Sequence, residues 1–447
     1  MGLGEELLAG VDERAASFEI FRDSIDPAWI TAALEATGTA TIRRRKLPAE
    51  YVVWLVIGMG LLHDRAITEV VRHLDLVLPT PEGGRGTVSG GAIAQARTRL
   101  GPEPLAALFR QTADKWATQA ADSDRWHGLA VYAVDGTTLR VPDTPENLTA
   151  FDRPGSRHGE GGGYPQLRLV ALMAPRFHLL AGIAMGSYRT SELTLAAELW
   201  PLLPPDSITL VDRGFATYSL FQQLHDPATN RPWLTRKKKD LTVRHVETLG
   251  PGDALVDLVP SRATRALHPD LPERLPVRAV RYHRPGFRPQ TLLTSLLDPV
   301  AYPAEELATL YHERWELELG FDEVKTHTLD RHEALRSTIP ARVCQEVWGL
   351  ALGYNLVRLV MARAAVQAGV PSLRVRYRHA LLLIRGFWAS AWHAAPGVLP
   401  KRIAVLHDEL ATLVLPERRP RRDPRAVKIK MSNHLRKRPR RSRRTAK

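Results

Sequence analysis

The chain has 447 residues and a mass of 49.9 kDa, too long for one ordinary core, so two to four structural units are expected. Apolar residues at 44% and charged residues at 25% exclude a wholly disordered polypeptide, and the longest uncharged apolar run, Tyr51 to Leu62, falls short of the roughly 18 residues a membrane span needs. The net charge of +14 sits entirely in Arg418–Lys447, which holds fifteen Lys/Arg against the single acid Asp423.

The opening MGLGEELLAG has no basic region followed by an apolar stretch, so no export signal is expected there. A single cysteine, Cys344, excludes an internal disulfide framework and makes a reducing cytoplasm the expected compartment.

The first hundred residues read as helices. Asp26 followed by Pro27 forms an N-cap with proline at the first helical position, and Gly38 ends that helix. The basic cluster Arg43–Lys46 precedes Pro48 and a largely apolar helix through Leu62. Asp64 can cap a third helix, Ala66 to Leu74, and Ser89 a fourth, Ala92 to Leu100. Gln95, Arg97 and Arg99 on that fourth helix suit either a helix-turn-helix-like DNA reader or a docking module whose arginines are solvated.

From Gly128 the period changes. Leu129–Val134 is a short apolar run ending in Asp135-Gly136, and Gln166–Ala174 and His178–Met185 read as two more strands. An amphipathic helix over Ser191–Leu203 is followed by Ile208–Val211, a buried type of strand ending in Asp212-Arg213-Gly214. A helix over Tyr218–His225 follows. This order predicts a mixed α/β sheet with helices packed on it. Between Arg231 and Gln290 the chain is strand-like, punctuated by Pro and Gly, and carries 13 bases to 6 acids. Pro303 opens a long helix with Glu305 and Glu306 in its first turn, and further helices follow over Val343–Val366 and Tyr377–Trp392.

Two aspartates, Asp135 and Asp212, end apolar strands, where a carboxylate points into the crevice at which α/β sheets bind ligands. If the two strands are neighbours the carboxylates converge; an aspartate opening a turn after a strand is the plainer reading. In YHERWELELGFDEVK, Tyr311, Arg314, Glu318 and Lys325 are spaced by three, four and seven. At about 100° per residue they fall within roughly 60° of one another on a helix, beside an apolar stripe of Leu310, Leu317, Phe321 and Val324. Periodicity alone also allows a solvated face laced with ion pairs.

The pattern Tyr-(2)-Arg-(3)-Glu-(6)-Lys, preceded by VDGT and DRGF, resembles the insertion-sequence 4 family of DDE transposases. AVDGTTLRVPDTPEN, PQLRLVALM, ERWELELGFDEVKTH, LRSTIPARVCQEVWGLALGYNLVR and the segment from Phe18 to Phe109 are similar to that family in order and spacing, so the likeness covers nearly the whole chain. The resemblance implies an RNase H-like catalytic core, an α/β fold with a mixed sheet flanked by helices, in which Asp135, Asp212 and Glu318 are both catalytic residues and metal ligands. Hard carboxylate oxygens suit two Mg²⁺ or Mn²⁺ ions about 3.5–4 Å apart, able to activate water or a DNA 3′-hydroxyl and to stabilise the leaving oxygen. Arg314 and Lys325 would hold phosphates of the bound DNA end, and Tyr311 would contact the backbone near the cut. Asp143, in a turn beside Pro142, and Asp322, about 40° around the helix from Glu318, are decoys.

The resemblance further implies these units: a helical DNA-end-binding domain at 1–120, the first part of the core at 121–230, a β-rich insertion at 231–295, the second part at 296–416, and a basic, disordered tail at 417–447. The expected partners are double-stranded DNA, as terminal inverted repeats and target, and a second copy in a synaptic homodimer. Some relatives stack a flipped base on a tryptophan of the insertion as they form hairpin ends. This chain has no tryptophan between Trp233 and Trp315; Tyr282 or Phe287 would have to substitute, and Trp233 itself reads as packing on a core strand. Two other readings remain: a structure-selective nuclease on the same fold, and an inactive DNA-binding inhibitor of transposition.

Smaller signals point elsewhere. The GEGGG stretch at Gly159–Gly163 lacks the Gly-Lys-Ser/Thr ending of a phosphate loop and reads as a plain loop. His327 and His332 have no cysteine partners for a zinc site, Cys344 reads as core, and Arg236–Lys239 as a solvated run or a phosphate contact.

Overall fold

The computed structural model describes residues 24–40, 47–74, 76–77, 86–155, 163–224, 229–283, 288–330, 334–391 and 396–416. The Arg43–Lys46 cluster, Gly159–Gly162, His225, Phe287, His332, Trp392 and the basic tail lie outside these residues.

Among the described residues five helices precede the first strand: α1 (Pro27–Ala36), α2 (Ala49–Leu61), α3 (Ile67–His73), α4 (Gly90–Leu100) and α5 (Glu103–Ser123). Asp26 caps α1 by accepting from the Ala28 amide at 2.8 Å, and Ser89 caps α4 by accepting from Ala92 at 3.2 Å, as their sequence positions require. Asp64 is not the cap of α3. It pairs with Arg65 at 3.5 Å, and the Ala66 amide is instead met by Glu69 from inside the helix.

These helices do not stand apart from the rest of the chain. Helix α2 is buried along nearly its whole length and crosses a 28-residue helix near the other end of the chain, Pro340–Gln367. The two backbones touch at glycines. A Cβ on Gly349 would lie 2.4 Å from the Val56 carbonyl oxygen, and one on Gly60 2.7 Å from the Leu350 Cα. The terminal carbonyls of α2 are capped from afar: Arg336 donates to Met59 and Arg385 to Leu61, at 2.7 and 2.6 Å. By length and composition Pro340–Gln367 could cross a membrane, but 78% of its apolar window is buried in the protein, where it serves as the central core helix.

The sheet has nine strands: β1 (Ala130–Arg140), β2 (Gln166–Ala174), β3 (Leu179–Ser187), β4 (Ser207–Val211), β5 (Trp233–Arg236), β6 (Thr242–Gly250), β7 (Asp253–Val259), β8 (Leu275–Tyr282) and β9 (Gln290–Thr294). Their spatial order is β3-β2-β1-β4-β5-β9-β8-β7-β6. β1, β4 and β5 run parallel and every other pairing is antiparallel, so the sheet is mixed, as expected. Short helices α6 (Pro145–Phe151), α7 (Glu192–Ala197), α8 (Tyr218–Leu224) and α9 (Arg262–Leu267) connect the strands. The helix expected over Ser191–Leu203 stops at Ala197, and a single 3₁₀ turn at Trp200–Leu202 replaces its end. Pro201, which lacks an amide hydrogen, sits in that turn.

Two strand readings change. Asp135 does not end β1: antiparallel pairing with β2 carries that strand on to Arg140. The segment from 231 does not leave the core sheet at once, because β5 pairs in parallel with β4 and buries Trp233 against Phe221 at 4.0 Å. Only β6 to β9 extend the sheet outward. Arg278 on β8, fully buried, donates to Asp253 at 2.8 Å and to the Tyr302 carbonyl at 2.6 Å, which ties these strands to the entry of the next helix.

The long helix expected after Pro303 is broken into α10 (Ala304–Glu313), α11 (Trp315–Asp322) and a π-helical stretch, Glu323–Thr328. The joint at Arg314 stays in the right-handed helical region, so the chain bends without turning away. The π stretch is anchored by Glu323, which accepts from Tyr354 at 2.8 Å and lies against His178 and Arg358. Burial opposes its charge, but Arg358 and His178 outweigh that and hold the carboxyl below its ordinary range. Beyond Pro340–Gln367 (α12) the chain ends its described part with α13 (Tyr377–Ala391) and α14 (Leu399–Ala411).

Candidate active site

Strand register brings the two aspartates together. The last parallel pair of β1 and β4 is Val134 opposite Val211, so the next residues, Asp135 and Asp212, emerge side by side where β4 stops. Thr235 of β5 pairs with the same Val211, which places Arg236 on the far side of Asp212. Its guanidinium lies 4.0 Å from the Asp212 carboxylate and donates to Gln290 at 3.1 Å.

The third carboxylate arrives on α11. Leu310 and Leu317 are buried, and Phe321 and Val324 pack against the same core, so the apolar stripe docks as its spacing requires. Gly320 allows the approach: a Cβ there would meet the Met173 methyl at 2.6 Å. Glu318 then faces β1 across Arg314. One guanidinium joins the two, donating to Asp135 Oδ2 at 3.1 Å and to Glu318 Oε1 at 2.8 Å.

The electrostatics follow from this crowding. Burial pushes the Asp135 carboxyl up from 3.8 to about 6; the Gly136 amide and Arg314 pull it down, while Asp212 and Glu318 add to the rise. Burial works to lower the Arg314 guanidinium, but its bond to Glu318 and the charges of Asp135 and Asp212 raise it on balance. Tyr311 is buried, its hydroxyl has no hydrogen-bond partner among the described residues, and burial carries it to about 12.

Asp135, Asp212, Glu318, Arg314 and Tyr311 therefore share one neighbourhood. Lys325 sits further along, in the π stretch, and lines the same cavity as Thr137, Leu139 and Met173. The π turn departs from 100° per residue, so the four-residue face predicted for a continuous helix does not carry through to it. The decoys are elsewhere engaged: Asp143 binds Arg153 at 3.0 Å and Asp322 accepts from Thr326 at 2.6 Å. On α4, Arg97 is neither a base reader nor solvated. It is buried and donates to Gln345, Ser337 and the Arg342 carbonyl, while Gln95 and Arg99 remain exposed. Tyr282 lies edge-on to His312, and Cys344 is half-buried against the core. His327 stands against Tyr377. Arg236 was hidden in a run of four basic residues, and only the pairing of β4 with β5 distinguishes it from Lys237–Lys239.

Two family models match. The N-terminal model of insertion element 4 transposases covers residues 15–110, and the transposase DDE domain model covers residues 126–356, more than half of the chain. The chain belongs to the insertion-sequence 4 family of DDE transposases. The transposase InsG for insertion sequence element IS4 of Escherichia coli (strain K12) is 34% identical over 429 residues, 96% of each chain. The putative transposase InsZ of the same strain is 35% identical over 239 residues, 53% of this chain and 78% of that one. The cryo-EM structure of the piggyBac transposase synaptic complex with hairpin DNA aligns at a TM-score of 0.42 and 10% identity, covering 90% of this chain and 85% of that one. The protein is thus an enzyme of DNA transposition, of a family that uses divalent metal ions.

The donor set suits such ions. Asp135, Asp212 and Glu318 offer hard carboxylate oxygens, the ligand type that Mg²⁺ and Mn²⁺ prefer. As the side chains stand, no three His, Cys, Asp or Glu among the described residues form a ready metal cage. Arg314 lies between two of the three carboxylates.

Proposed function

We propose that the protein binds the terminal inverted repeats of its insertion sequence, cleaves DNA at the element ends and joins the 3′-hydroxyls to target DNA. What carries this reading is the register that sets Asp135 beside Asp212, with Glu318 joined to Asp135 through Arg314. Asp135, Asp212 and Glu318 would hold two Mg²⁺ or Mn²⁺ ions, which when bound activate the attacking oxygen and neutralise charge on the leaving one.

The rest of the chemistry falls to the chain's own side chains. The attacking oxygen, from water or a DNA 3′-hydroxyl, bonds to phosphorus as the P–O3′ bond breaks, and the leaving oxygen takes up a proton. Arg314 offers a fork that suits a phosphate bidentately, Lys325 a point charge further along the DNA, and the Tyr311 hydroxyl a donor without an acceptor among the described residues. Residues 1–120 would serve end binding, 121–230 and 296–416 the core, and 231–295, reduced to the strands beyond β5, a cover over the DNA. The homodimeric synaptic complex and the cytoplasmic, nucleoid setting belong to the same proposal.

Asp135→Ala, Asp212→Ala and Glu318→Ala should each abolish Mg²⁺-dependent cleavage of a duplex carrying the element end while mobility-shift binding persists. Cleavage near the wild-type rate in any of them overturns the assignment. Supporting a transposase over a structure-selective nuclease, product DNA should show strand joining as well as cuts.

A further inference from the structure

Arg314 holds both Asp135 and Glu318, yet its own position is set by other contacts. Its backbone amide donates to the Tyr311 carbonyl at 3.3 Å, and the preceding Glu313 is clamped by Arg176 at 2.7 and 2.9 Å. The joint is therefore pinned from outside the carboxylate cluster. The Arg314 side chain, 12% exposed, spans from β1 to α11 with one nitrogen on each carboxylate. A divalent cation seated on those two oxygens would compete with the guanidinium for them.

We propose that Arg314 is the resting counter-ion of the carboxylate cluster, and that divalent metal enters by exchange with it, releasing the guanidinium to a DNA phosphate. This rests on Asp135 and Glu318 being metal ligands. The exchange makes one side chain the coupling element between two ligands. Metal frees the fork that phosphate needs, and phosphate holds the fork away from the oxygens that metal needs, so each favours the other by the same factor. An arginine suits the role better than a lysine, because its planar guanidinium sets one nitrogen on each carboxylate, whereas an ammonium would have to bridge both from a single nitrogen.

The test is Mn²⁺ binding to the full chain without DNA, followed by the free-ion electron paramagnetic resonance signal, in wild type, R314A, R314K and D135N. With the competitor removed, R314A should bind Mn²⁺ roughly tenfold more tightly, equivalent to about 1.4 kcal/mol. R314K, which keeps the charge but loses the fork, should move in the same direction. An R314A affinity equal to or weaker than wild type overturns the exchange. R314K matching wild type while R314A tightens also overturns it, because simple charge repulsion would then set the affinity. D135N separates the exchange from the ligand assignment beneath it: loss of Mn²⁺ in D135N upholds the metal-ligand assignment whatever Arg314 does. Wild-type affinity in D135N removes that assignment and the exchange with it. Melting curves for each variant establish that the fold is retained.

Discussion

A carboxylate that the fold makes costly to ionise should destabilise the metal-free protein at neutral pH, and Asp135 is such a group. Its carboxyl rises from 3.8 to about 6, a shift of about two units, and at about 1.36 kcal/mol per unit this amounts to about 3 kcal/mol. The side chain is 20% exposed, so solvent screening brings the expected effect to about 1–3 kcal/mol. The sign follows from linkage. The folded state holds the proton more tightly than the unfolded chain, so the contribution to stability is fully present below 3.8 and is lost as pH rises through 6. Asp135→Asn removes the charge but keeps an oxygen for the Gly136 amide, which now donates to Asp135 at 2.8 Å. At pH 7.5 without metal the variant should melt higher than wild type by roughly 1–3 °C, taking about 2.1 cal/mol/K per residue for the unfolding entropy. The assay is calorimetry in chelator from pH 5 to 8. The gap should shrink toward pH 5, and added Mg²⁺ should raise wild type alone. A lower melting temperature for Asp135→Asn at pH 7.5, or a gap that does not change with pH, refutes the reasoning.

Gly349→Ala should destabilise the fold by about 2–4 kcal/mol, since its methyl would meet backbone rather than a movable side chain and α2 and α12 would have to part; a melting temperature within 1 °C of wild type, about the spread of repeat scans, would contradict that. Lys325→Ala should weaken footprints on pre-cut ends while leaving binding of longer, uncut duplexes nearly intact, placing its contact at the cut end. Deleting Arg418–Lys447 removes fifteen bases and one acid and should flatten the salt dependence of DNA binding, by about 0.9 in log K against log salt for each phosphate no longer neutralised. A displaced cut site after that deletion would show that the tail reads sequence.

Much of the site was legible in linear order because its parts obey local rules. Asp135 and Asp212 follow short apolar runs that read as buried strands, and the stripe of Leu310, Leu317, Phe321 and Val324 marks the face that docks. Caps such as Asp26 and Ser89 need nothing beyond their own helix. Where the reading went astray, a distant partner intervened. Arg97 on an amphipathic helix has no local feature that distinguishes a DNA contact from a buried bond to Gln345, 248 residues later. The π turn begins at Glu323, whose carboxylate meets His178, Tyr354 and Arg358, none of them near in sequence. Trp233 was legible as a packing residue of a core strand, but the insertion boundary drawn at 231 cut off that strand, and only its pairing with β4 shows this.

The +14 charge belongs to a short terminal segment, and that much, with the order of most strands and helices, is determined by the sequence alone, since composition, periodicity and spacing are properties of neighbours along the chain; the choice of Asp135, Asp212 and Glu318 came from the family resemblance. Which aspartate stands beside which, what occupies the gap between Asp135 and Glu318, and which arginines are structural were decided only in three dimensions. Register between strands 77 residues apart, set by the Val134–Val211 pairing, and competition among buried charges depend on distances that no stretch of sequence contains.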